Sequence, residues 1–139
     1  MRRLAALPLL LCLSLPAVAQ TAATPAPLTA EAFDAYSLGK TLYYNAGGTP
    51  YGAEEYLPDH KVIWAFIGQE CKYGRWYVDA QQHICFAYDG DKDPPQCWSF
   101  YAQGTGLAAH YEGLPTSTDL IEVQQTSAPL FCPGPKVGT

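Results

Sequence analysis

Among the residues that could carry chemistry, Glu54 and Glu55 stand side by side, the only adjacent carboxylates in the 139-residue chain. Paired carboxylates cleave glycosidic bonds when both face one substrate. Neighbours on a strand point to opposite faces, so these two do not form a site together. His60, His83 and His110 are the only histidines, and none falls in an HxH or HxxxH spacing that would bring two imidazoles to one zinc ion. The chain has no GxSxG. Ser99 falls mid-strand and Ser37 late in a helix, so nothing nominates an activated serine. A carboxylate such as Glu55 working with His60 or His110 is the polar combination left, and it defines an alternative function: a small cell-envelope hydrolase. No catalytic residue is assigned, and neither a metal nor a cofactor is expected.

Asp89, Asp91 and Asp93 alternate in the segment Asp89 to Pro95. Oxygen-rich loops hold calcium when six or more ligands converge. Here no bidentate Glu follows at the EF-hand offset, Lys92 dilutes the charge, and Pro94-Pro95 stiffens the end. The segment reads as a hairpin tip in which Asp and Gly form the turn.

Aromatic residues are the feature in excess: ten Tyr, five Phe and three Trp. Tyr43, Tyr44, Tyr51 and Tyr56 surround the Gly47–Gly52 loop, with Tyr73 and Tyr77 further on. In a small β domain many such rings fill the core and its cross-strand pairs. Rigid amphipathic rings also make walls for sugars, apolar ligands or peptides. Tyr43, Tyr51, Tyr56, Tyr73 and Tyr77 are therefore the candidate ligand-binding residues.

The elements that must position these rings follow from local pattern. Residues 1–19 read as a signal peptide: Met1-Arg2-Arg3 is a basic start, Leu4 to Leu15 an apolar stretch, and Ala17-Val18-Ala19 a small-residue cleavage site. Leu11 before Cys12 does not fit a lipoprotein site, and the apolar stretch is too short to span a bilayer. Residues 20–27 form an Ala/Pro/Thr linker, residues 28–133 a single β-rich domain, and residues 134–139 a flexible tail. Leu28 to Gly39 predicts a short helix with Thr29 as N-cap and Gly39 as a left-handed end. Leu28, Ala32, Phe33 and Tyr36 share its apolar face.

Beyond Gly39 the pattern becomes β. Strands are expected near Thr41–Asn45, Glu54–Leu57, Lys61–Ile67, Arg75–Val78, His83–Tyr88, Gln96–Ala102, Leu107–Tyr111 and Leu120–Gln124, joined mostly by short Gly, Pro, Asn and Asp links. Short links favour antiparallel neighbours. The expected fold is mainly β: a curved antiparallel meander or incomplete small barrel of about seven or eight strands with one short N-terminal helix, stapled by disulfides. Lys61–Ile67 is apolar on both faces, so it should be central, with the helix covering its outer side.

Ile84, Phe86 and Tyr88 alternate with Cys85, and Trp98 and Phe100 with Cys97. If these two strands form a hairpin, both cysteines face the same way and a Cys85–Cys97 bond follows. Cys71–Cys132 is then the second bond, although four cysteines allow three connectivities. Disulfides suit an exported protein. Without Arg2 and Arg3 the basic residues are Lys40, Lys61, Lys72, Arg75, Lys92 and Lys136, against thirteen Asp and Glu. That balance lacks the basic footprint that nucleic acid or an anionic membrane requires.

Six segments, Gly39 to Tyr44, Tyr51 to Pro58, Val62 to Trp64, Cys71 to Tyr77, Ile84 to Tyr88 and Cys97 to Phe100, carry a Gly-Lys-Thr-aromatic start, a G-x-W strand, then C-F-x-Y and C-W strands. In this order the chain resembles a group of uncharacterised small exported proteins of alphaproteobacteria. The resemblance covers roughly residues 33–100. It implies periplasmic residence and a β-rich fold, and it brings no activity and no catalytic residue. The function expected is thus a periplasmic or secreted, non-enzymatic binding or accessory protein with an aromatic-lined face. Its partner would be an unknown small ligand, glycan or envelope protein, with no nucleic acid and no membrane span in the mature form.

Overall fold

The computed structural model describes residues 24–114 and 117–133. The expected signal peptide (1–19), the first part of the linker (20–23) and the tail (134–139) lie outside the described residues. One helix, α1 (Ala30–Ser37), precedes eight strands: β1 (Thr41–Ala46), β2 (Thr49–Tyr56), β3 (Lys61–Phe66), β4 (Lys72–Val78), β5 (Ile84–Tyr88), β6 (Gln96–Gln103), β7 (Gly106–Tyr111) and β8 (Leu120–Thr126). A 3-10 turn at Pro58–His60 joins β2 to β3.

Each strand runs antiparallel to the next, and β8 returns to pair with β1, from Thr41↔Thr126 to Ala46↔Leu120. The sheet is a closed barrel in simple chain order. Closure removes both sheet edges, and with them the unpaired N–H and C=O rows that an open meander exposes. Opposite β1 the register skips one residue on each neighbour, Tyr51 of β2 and Val123 of β8, and these bulges bend β2 and β8 where the ring closes.

The pleat divides the side chains. Leu42 opposite Glu54, Tyr56 opposite Val62, and Trp76 opposite Phe86 all point inward. Strand ends then give the barrel two unlike mouths. At one, β1, β3, β5 and β7 begin; there α1 docks and drives Phe33 into the interior, fully buried. Its ring meets Tyr56 at 5.5 Å and Trp76 at 5.4 Å edge-on, and Phe100 at 4.4 Å. Such pairs add ~0.5–1.5 kcal/mol each beyond burial.

Thr29 caps α1, its hydroxyl accepting from the Ala32 N–H at 3.2 Å. Gly39 leaves the helix at φ 77° and donates its N–H to the Tyr56 carbonyl, a left-handed turn that Gly makes without a Cβ clash. The buried stripe differs from the sequence expectation. Phe33 and Ser37 are buried, while Ala32 is exposed, because the helix meets the barrel along i, i+4 from Phe33 and Ala32 falls off that line.

The outer side of β3 is not covered by α1. The chain after β8 crosses there instead. The Ala128 carbonyl accepts from the Thr41 hydroxyl at 2.8 Å, and the Leu130 N–H donates to Glu55 at 2.9 Å. Cys132 then bonds Cys71 beside β4. The helix goes to the barrel mouth because its one large apolar side chain fills a hole there that no strand residue reaches. The second disulfide, Cys85–Cys97, joins directly opposed residues of β5 and β6. No helix of the described residues is long and apolar enough to cross a membrane.

Candidate functional site

The other mouth is open. Within it lies a cavity of about 270 Å³, near the lower end of small-molecule pockets, which span roughly 300–1,000 Å³. Closed eight-stranded barrels either fill with side chains or hold one small ligand. This barrel does both, one at each end.

The walls come from inward positions of the strands. Trp64 stands on β3, Phe86 on β5 and Trp98 on β6, with Tyr51 and Phe66 at the rim. Tyr51 lies 5.3 Å from Phe66 and 6.0 Å from Trp64, ring to ring. Gly52 makes room for the Trp64 indole: a Cβ there would come within 2.5 Å of it and 2.7 Å of the Ala65 carbonyl. A side chain at position 52 would displace the wall. The loop between β5 and β6 overhangs the mouth, contributing Asp91, Asp93, Pro94 and Pro95. Asp91 is held by the Lys72 ammonium at 2.8 and 3.0 Å.

Glu54 sits in the cavity wall on β2 and is 4% exposed. The Tyr88 hydroxyl donates to its Oε1 at 2.7 Å and the Tyr56 hydroxyl to its Oε2 at 3.1 Å. Tyr44 stands behind, its hydroxyl 3.2 Å from that of Tyr56. Burial drives the Glu54 carboxyl up to about 8, against which the two tyrosine hydrogen bonds act. Burial also holds the hydroxyls of Tyr44, Tyr56 and Tyr88 well above their ordinary value. At neutral pH the site thus presents a protonated carboxyl and three neutral phenols among rings.

Of the tyrosines named from sequence, Tyr51 and Tyr56 line the cavity. Tyr43, Tyr73 and Tyr77 alternate outward: Tyr43 opposes Ala53, Tyr73 opposes Ile63 and Tyr77 opposes Cys85. Tyr73 and Tyr77 lie in solvent. The five do not share one face. Sequence reasoning missed Tyr44, Glu54, Trp64, Tyr88 and Trp98. A signal was present, since Leu42, Tyr44, Glu54 and Tyr56 have the parity of an inward face once Leu42 is taken as core.

Glu55, His60 and His110 are not brought together. Glu55 faces outward under the C-terminal segment. His60 stacks on Trp76 with ring centres 3.7 Å apart at the helix mouth. His110 faces outward on β7 and pairs with Asp119 at 2.8 Å. Among the described residues, Asp79, Cys85 and Cys97 are the group close enough to share a metal ion, but the two sulfurs are bonded to each other. Compared with protein-family models, curated proteins and solved structures, the chain finds no match.

Proposed function

We propose that the protein is an exported, non-enzymatic binding protein that takes a small ligand into the open mouth of its barrel. One observation carries this: a ring-walled cavity of about 270 Å³ next to a buried carboxyl, in a barrel whose other end is packed solid. Burying Glu54 beside an unfilled space lowers stability, which a purely structural module has no reason to retain. The aromatic site lies inside the barrel rather than on an outer face. Residence in the periplasm, or secretion, after cleavage near Ala19 is supported by the basic-apolar-small pattern of residues 1–19 and by the two disulfides.

The test is a fragment screen by protein-observed NMR on the processed chain, paired with Ala109→Phe. Ala109 lines the cavity, so a ring there fills it. Fragments that shift Trp64 and Trp98 indole signals in the native protein should lose binding in a variant that still melts cooperatively. Fragments that bind the folded variant equally well would place the site elsewhere and reject the proposal.

A further inference from the structure

The same cavity selects the charge of its occupant, an inference that rests on reading the barrel interior as a binding site. Glu54 is the ionisable acid within it, and among the described residues no cationic side chain pairs with it. Lys72, the basic residue at the mouth, is committed to Asp91. The phenols of Tyr56 and Tyr88 donate to separate carboxyl oxygens. Each oxygen of a carboxylate accepts twice, so one acceptor position on each remains for a guest. The surrounding walls are ring faces, whose quadrupole is negative and attracts cations, best of all at Trp. Asp93 adds negative charge at the entrance, and the whole chain carries a net charge of −5, which draws cations and repels anions during approach.

We propose that the cavity binds a small organic cation, an amine or quaternary ammonium, with its charge against Glu54 and its carbon shell against Trp64, Trp98 and Phe86. An anion would meet Asp93 at the entrance and the negative faces of the rings within. A neutral apolar guest would use the rings and leave the remaining acceptor positions of Glu54 unused. Only a cation engages walls, floor and entrance together.

Binding carries a proton balance. The empty site holds Glu54 protonated at neutral pH because burial disfavours its charge. An entering cation replaces the proton, which leaves to solvent. For a guest of fixed charge, affinity therefore falls about tenfold for each pH unit below 8 and levels off above it. The other groups facing Glu54 do not produce this profile. Tyr44 on β1, Tyr56 on β2 and Tyr88 on β5 keep their protons through the window. Glu122 on β8 stands opposite Tyr44 in register, but its carboxylate turns to Tyr36, Leu107 and Gln125 on the helix side, and Lys72, Asp91 and Asp93 come from the strand and loop at the entrance.

The test is calorimetry of the processed protein with choline, whose charge is permanent, and with its uncharged carbon analogue 3,3-dimethylbutan-1-ol, from pH 6 to pH 9. The expected result is choline binding at least tenfold tighter than the alcohol at pH 8, with proton release seen as a buffer-dependent heat. Glu54→Gln should weaken choline at least tenfold and abolish the proton release. The pH profile of the native protein gives the same answer without a variant. Equal binding of both probes, or pH-independent choline binding, would overturn the cation assignment. If neither probe binds while neutral fragments do, the cation assignment falls and the cavity remains a binding site. If nothing of either charge binds, both readings fall.

Discussion

The two mouths of the barrel are built from the same eight strands and the same residue types, yet one is solid and the other hollow. At the helix mouth, Phe33 fills the space between Tyr56, Trp76 and Phe100. The carboxylate there, Glu122, receives the Tyr36 hydroxyl at 2.9 Å, the Leu107 N–H at 2.9 Å and the Gln125 amide at 3.1 Å. It serves as a clasp between helix and barrel. At the open mouth no element enters. Glu54 receives two phenols and faces a void. Both acids are raised by burial, but Glu122 is half-buried and multiply bonded while Glu54 is deeply buried. The difference teaches where this fold is held together and where it has room for a guest.

The largest expected effect tests the hollow end. In the unfolded chain Glu54 ionises near 4.5, and in the folded protein near 8. The folded state thus binds the extra proton between these values, so stability is greatest below the lower one, falls as pH rises to about 8, and is level above. The full fall is on the order of 5 kcal/mol. Glu122 contributes with the same sign, so the comparison that isolates Glu54 is native protein against Glu54→Gln by urea unfolding at pH 5, 7 and 9. The variant should gain on the native protein as pH rises. Parallel curves would break the contrast between the two acids.

Next is the solid end. Phe33→Ala removes the plug and should cost about 3–5 kcal/mol, read as a lower urea midpoint. A loss under 1 kcal/mol would mean that the helix merely rests on the barrel. Tyr36→Phe deletes the hydroxyl that bonds Glu122 and should cost about 1 kcal/mol, with the Glu122 carboxyl moving in a carboxylate NMR titration. No movement would show that Glu122 is held by the Leu107 N–H and Gln125 alone. Smallest of all, Tyr73→Ala and Tyr77→Ala, on exposed outer positions, should change stability by about 0.5 kcal/mol or less and leave fragment binding intact. A binding loss there would move the site to the outer wall.

Much of this was legible in short stretches of chain. Alternation in Ile84 to Tyr88 and Gln96 to Tyr101 placed Cys85 and Cys97 opposite each other, because a hairpin register depends on neighbours only. The eight strands were legible for the same reason, although β2 begins earlier than expected, at Thr49, since Thr49 and Pro50 continue the ladder across from β1 beyond the skipped Tyr51. The helix position was not legible. Two-sided hydrophobicity in β3 says that something covers each face, not which element does; the cover is the C-terminal segment around Leu130. Clustering in sequence carries no information on which side of the sheet a ring faces, so Tyr43 and Tyr44, like Glu54 and Glu55, are separated only by the inward and outward alternation of the closed barrel.

The amino-acid order by itself determined the strands, the turns and the facing cysteines of one hairpin, since each depends on a few consecutive residues and their alternation. Only the tertiary structure decided that the sheet closes, because the β1–β8 pairing joins residues more than seventy positions apart and no local pattern specifies it. Closure in turn decided which rings became walls, which end the helix could stopper, and that one buried acid was left facing empty space.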